Sequence, residues 1–168
     1  MVFHVMIASV AAMAARAVPL MPRTRSAGRT QTVVSAASSG LNMQPAPINP
    51  DWIIAGEPVA RMADHSRSAD RAAYTALWDC TAGTFRWFFA WDETVHIVEG
   101  EVHVTAQDGS VHMLQAGDVA YFKAGTWATW RVDTYVRKVA FLRRPFPAPI
   151  AFAYRLKNKL LPAKTPSL

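Results

Sequence analysis

The sequence predicts an all-β fold, a small closed barrel or sandwich followed by one short helix. Three observations carry this. From Asp51 onward apolar and polar residues alternate with period two, in short runs rich in Val, Ile, Thr, Trp and Phe. Gly- and Asp-containing turn signals punctuate the runs at close intervals: Gly56-Glu57-Pro58, Thr81-Ala82-Gly83, Gln107-Asp108-Gly109 and Gly117-Asp118. No helical period appears among them, and about eight short strands without intervening helices favour closure over any parallel α/β arrangement. Closure also removes the free edges that so many hydrophobic strands would otherwise expose.

Taken in order, residues 52–62 form a strand broken at Gly56-Glu57-Pro58, and the polar stretch 65–73 is a loop. Residues 74–80 and 84–91 are two strands joined by a turn at 81–83, the second strongly aromatic. Residues 93–100 and 101–106 make one region bent at Gly100, and the Asp108-Gly109 pair turns it into 110–116. Strands at 119–125, 126–132 and 135–143 complete the set. The Pro145, Pro147, Pro149 run ends the sheet, and 150–161 reads as a helix with Ile150, Ala153, Tyr154, Lys157 and Leu161 near one face. The glycines at 100, 109, 117 and 125 suit turns that need positive φ, and Asp118 suits a turn in which its carboxylate accepts backbone N–H bonds.

Domain organisation follows: a leader over 1–48, the β domain over 49–145, and a basic helix and tail over 146–168. The chain of 168 residues carries a formal charge of +6. The leader holds four arginines and no acid, 51–133 holds 6 basic against 12 acidic residues, and eight basic residues follow Asp133 with no acid among them. An acidic β domain argues against nucleic acid as its partner. The leader is Ala-, Ser- and Arg-rich. It reads as an organelle transit segment (plastid or mitochondrion), as a dispensable extension before Met43 in a cytoplasmic protein, or as a poorly formed secretory signal. Its apolar stretch 7–18 is too short to span a bilayer. Cys80 is the only cysteine, which excludes an intramolecular disulfide and a cysteine zinc site, and its strand context suits a buried thiol. The basic helix suits packing against its own barrel or a neighbouring subunit, with an anionic membrane surface as the alternative.

Segments 83–104, 114–132 and 136–141 together resemble a cupin, the RmlC-like jelly-roll β-barrel, and more narrowly the small cupin domain family named after (S)-ureidoglycine aminohydrolase. The resemblance spans about residues 51–145 and implies a single barrel, often dimeric. Cupins carry metal through two motifs, and here most ligand positions hold other residues. Glu93 and Gly100 match the end of the first motif, but its histidine pair falls on Trp87 and Phe89 or on Arg86 and Phe88. In the second motif Gly117 and Gly125 match, Lys123 replaces a proline, and Ala128 stands where the histidine belongs. One carboxylate does not hold a transition-metal ion, so no metal is expected and no cofactor is assigned. His96 has opposite strand parity from Glu93, and His103 and His112 are expected to pair across their hairpin.

The candidate site is therefore organic in character. Arg86, Trp87, Phe88, Phe89, Trp91, Trp127, Trp130 and Lys138 are the expected pocket, since small barrels enclose one ligand and aromatic side chains line it. The alternative is that these aromatics are core. Glu93 is the candidate catalytic residue, as a general acid or base; it equally suits ligand binding or an ion pair with Arg86 or Lys138. Lys138 also suits a surface or structural role. The expected function is a metal-free cupin binding a small organic ligand or a protein partner. The alternative is an (S)-ureidoglycine aminohydrolase-like or other small-molecule enzyme using Glu93, and a third reading is similarity to small plastid cupins of the transcription machinery.

Overall fold

The computed structural model describes residues 32–160. The leader's first 31 residues and the tail beyond Leu160 lie outside the described residues, and with them most of what was expected of the transit segment. The strands are β1 (Gln44–Pro45), β2 (Ile53–Ala55), β3 (Ala60–Arg67), β4 (Ala73–Phe89), β5 (Asp92–Ala106), β6 (Val111–Gln115), β7 (Val119–Phe122) and β8 (Thr126–Arg143), followed by helix α1 (Ala148–Leu160). All pair antiparallel in one eight-stranded sheet of order β1-β3-β4-β8-β5-β6, with β2 on β4 and β7 on β5. The sheet curls into a small barrel whose core faces inward, as the alternation of the strands requires.

The long strands β4, β5 and β8 set the architecture. β8 lies between β4 and β5 and pairs with both along most of its length. Its inward residues are Ala128, Trp130, Val132, Val136, Lys138 and Ala140, all buried. In β5 Glu93, Val95, Ile97, Val102 and Val104 point the same way. Gly100 bends β5 with φ +72°, and a Cβ there would overlap the Tyr135 carbonyl oxygen, so glycine is required by both backbone and space.

Several expectations need correcting. The strands expected at 74–80 and 84–91 are one strand, β4, which ends at Phe89, because the Thr81–Gly83 segment is a β-bulge rather than a turn; both halves keep pairing with β8 through a register shift. The bulge switches which parity faces inward, from Trp78 and Cys80 before it to Phe85 and Phe89 after it. Residues 126–132 and 135–143 likewise form one continuous β8. The loop expected at 65–73 shrinks to 68–72, because Ser66 and Arg67 pair with Thr75 and Tyr74. Helix α1 starts at Ala148 and takes Pro149 into its first turn, where a missing N–H costs no hydrogen bond. It buries none of its residues, so packing against its own barrel is not what it does.

Outside the barrel, Asp79 is only 1% exposed and clamps three strands. Arg61 on β3 donates to it twice, at 3.0 and 2.8 Å, and Tyr135 and Arg137 on β8 donate at 2.9 and 3.2 Å. Burial alone would raise the Asp79 pKa, but these donors overcome it and hold the carboxyl below its ordinary value.

Candidate functional site

The polar centre of the barrel interior is one ion pair. Lys138 Nζ donates to Glu93 Oε1 at 2.7 Å, and the two residues are 4% and 6% exposed. In the β5–β8 register Lys138 faces Ile97, while Glu93 faces Leu142 two inward rows away. The two side chains bridge that offset through their terminal atoms. The ammonium also lies 4.9 Å from the Trp78 ring centroid and 4.4 Å from that of Trp130.

Around the pair the aromatics interlock. Trp78 and Trp130 meet edge-on at 6.0 Å, Phe85 stacks on Trp130, and Trp87 packs edge-on against Trp78 and Phe85. Phe89 stacks on Phe122 at 4.3 Å, and Phe122 reaches Trp130 at 5.6 Å. The indole Nε1 atoms of Trp78 and Trp130 are both buried and have no hydrogen-bond partner. Cys80 is fully buried in the same core, and burial, reinforced by the charge of Asp79 and only partly offset by Lys138, pushes its thiol up to about 12. It is an inert thiol at neutral pH.

Two clefts approach this interior. One, of about 500 Å³, is walled by Gln107, Asp108, Tyr121, Phe122, Trp127 and Ala128. The other, of about 310 Å³, lies among Val104, His112, Leu114, Ala120 and Phe122. Phe122 belongs to both and is the direct cross-strand neighbour of Glu93, but neither cleft is lined by Glu93, Lys138, Trp78 or Trp130.

The expected site residues divide by strand face. Glu93, Trp87, Phe89, Trp130 and Lys138 come together inside. Arg86, Phe88 and Trp127 do not join them: Phe88 and Trp127 are direct cross-strand partners on the outer face, Arg86 caps the Trp127 ring at 4.6 Å, and Trp127 lines only the wider cleft. Trp91 sits at a strand end against Tyr74 and Arg144. A contiguous run such as 86–91 cannot line one pocket, because alternate residues face opposite ways. Glu93 therefore pairs with Lys138 and not Arg86, and Lys138 is interior, not on the surface. Sequence reasoning missed Phe122 and Trp52, and it weighed Trp78 among the barrel tryptophans without placing it in the expected pocket. Trp78 follows from its register opposite Lys138 and Phe122 from its register opposite Glu93. Trp52, packed on Trp87 and Trp127 from the short turn of helix at Pro50–Trp52, carries no pairing signal.

The residues at the metal-motif positions do not fit a metal ion. Trp87, Phe89 and Ala128 face inward and offer no donor, and Glu93 is already bound to an ammonium. His96 is exposed on the opposite side from Glu93, as parity requires. His103 and His112 do not pair: their cross-strand partners are Met113 and Val104. Instead His103 Nε2 lies 3.5 Å from Asp133, which also holds Arg131 at 3.3 Å. Glu101, His103 and Asp133 bring their ligand atoms together outside the barrel, among the described residues, but the Arg131 guanidinium already serves that carboxylate.

A curled antiparallel barrel with an inward Glu at the metal-motif position defines a cupin fold. Within it, residues 67–140 match the family model of the EutQ-like cupin domain. Solved structures agree on the fold. A protein of unknown function from Pseudomonas syringae pv. tomato is 22% identical over 60% of this chain, which spans 44% of that protein, with a TM-score of 0.56. The cupin domain of Schizosaccharomyces pombe Cnp3 is 11% identical over 76% of this chain and 74% of that one, with a TM-score of 0.52. A Thermotoga maritima protein described as a predicted oxalate decarboxylase is 17% identical over 67% of this chain and 99% of its own, with a TM-score of 0.51. A search of curated proteins found no match. No helix among the described residues is long and apolar enough to cross a membrane.

Proposed function

We propose that this cupin barrel binds a small organic ligand in its aromatic interior and carries out no metal-based reaction. The observation that supports it is the Lys138–Glu93 pair: an ammonium occupies the carboxylate that other cupins give to a metal, under two tryptophan rings. The (S)-ureidoglycine aminohydrolase reading rests on sequence resemblance alone, and the donor set weighs against its metal chemistry. Metal analysis of protein produced in metal-supplemented medium should give close to no Mn, Fe, Ni or Zn per chain. Near one equivalent overturns the proposal. A thermal-shift panel of small polar organic compounds should give hits with the wild type that vanish in the Lys138→Met/Glu93→Gln double variant. A panel without any such hit counts equally against it.

The same reading makes the chain a homodimer joined through α1, whose Ile150, Phe152, Leu156 and Leu160 are exposed and whose charges are all basic.

A further inference from the structure

We infer that the outer face of the β4-β8-β5-β7 sheet is the seat of α1 from a second copy, so that each barrel of the dimer carries its partner's helix. This rests on the homodimer reading above and supplies the other half of the contact. Two cross-strand rows that point away from the core build the face. One runs Leu77, Val139, His96, Val119 across the four strands, and the next runs Thr75, Phe141, Thr94, Tyr121. Neither row holds an Asp, Glu, Lys or Arg. On the β4 side the chain covers this face itself. Leu77 points outward yet is buried, and it shares a cavity of about 250 Å³ with Ala36, Ser38 and Leu41 of the segment before β1. On the other side Phe141, Val119 and Tyr121 stay 50%, 65% and 60% exposed.

Size, reach and charge select what covers the bare half. From β8 to β7 is two strand spacings, roughly 10 Å, the width of one helix. The matching edge of α1 is Phe152, Leu156 and Leu160, which recur every four residues, form one stripe and are all exposed. Tyr154 lies on another side of the helix and packs on Phe146 at 5.8 Å, and the Arg143 guanidinium lies 5.2 Å from the same Phe146 ring. These contacts tie the start of α1 to the end of β8, two residues past Phe141, and leave the stripe free for another molecule. A two-fold axis beside that strand end exchanges the helices. Each then buries its stripe on the other barrel, which doubles the contact. Acids border the face without entering it: Asp118 directly precedes Val119, and Asp92 accepts from the Tyr121 hydroxyl. They belong to the acidic part of the chain and attract Arg155, Lys157 and Lys159.

Light scattering of the full chain over a range of concentrations tests this. Val119→Glu and Phe141→Glu should each raise the dimer dissociation constant about tenfold or more, because a carboxylate is forced into an apolar contact. Phe152→Glu/Leu156→Glu on the helix should do the same. Met113→Glu, equally exposed but on β6 outside the two rows, should leave the dimer unchanged. Urea unfolding of dilute protein checks that each variant folds, and Val119→Ser and Phe141→Ser take the place of a glutamate variant that does not. A dimer that survives both barrel substitutions but not the loss of α1, or that Met113→Glu weakens as much, puts the seat elsewhere. That overturns this inference while the homodimer through α1 stands. A dimer that survives truncation after Pro147 overturns the homodimer reading as well. A full chain that is monomeric overturns both, whether α1 then lies on its own barrel or on vesicles of anionic lipid.

Discussion

At the scale of single residues, Lys138 shows how a charge is kept inside a barrel. Its ammonium has a carboxylate at 2.7 Å and two aromatic faces within 5 Å, so little of its lost hydration goes uncompensated. Removing one partner strands the other. Lys138→Met should cost about 3–5 kcal/mol of stability in urea unfolding, because Glu93 is left as a lone buried anion. Lys138→Met/Glu93→Gln should recover most of that loss. Equal losses in the single and double variants would mean that packing of the lysine stem, and not the charge, is what matters. Gly100 is the backbone counterpart. Gly100→Ala forces a Cβ into the Tyr135 carbonyl at a positive φ and should destabilise by more than about 2 kcal/mol, read in the same unfolding experiment.

Among the elements, β3, β4 and β8 are tied together on the outside by Asp79, which makes the barrel acid-sensitive in a defined way. A carboxyl whose folded pKa lies below its unfolded value stabilises the fold fully above the unfolded value, about 3.9, and loses that contribution as pH falls toward the folded one. The stability gap between wild type and Asp79→Asn should therefore be constant near neutral pH and close below about pH 4. A gap independent of pH would assign the role to shape alone. This element was legible only in part. Alternation and turn chemistry gave the strands, the Gly100 bend and the Asp108-Gly109 hairpin. They did not distinguish a bulge at Thr81–Gly83 from a turn, because both use the same small residues and only the shared partner β8 tells them apart. The same ambiguity spoiled the pocket. Without the bulge's parity switch nothing said which half of the Arg86–Trp91 run faces inward, nor that Trp78 shares its face with Lys138.

At the scale of the whole molecule, the described residues divide into a barrel that buries its own apolar face and a helix that does not. The barrel's buried apolar residues come from its own strands and from Ile48 in the segment before them, and none comes from α1. At protein concentrations too low for association, truncation after Pro147 should thus leave the free energy of urea unfolding within about 0.5 kcal/mol of the full chain, as for surface changes generally. Association is a different matter. The helix exposes Phe152, Tyr154 and Leu160 and carries Arg155, Lys157 and Lys159 without an acid, whereas residues 51–133 hold 6 basic against 12 acidic residues. Two like-charged helices repel, so the arrangement that uses both the apolar surface and the charge sets the helix of one copy on the barrel of another. Light scattering should then give a dimer mass for the full chain, a monomer mass for the truncated one, and a dimer that weakens as salt screens the attraction. A truncated chain that stays dimeric removes α1 from the interface. A dimer that salt strengthens would mean that apolar contact, not charge, holds the helix down.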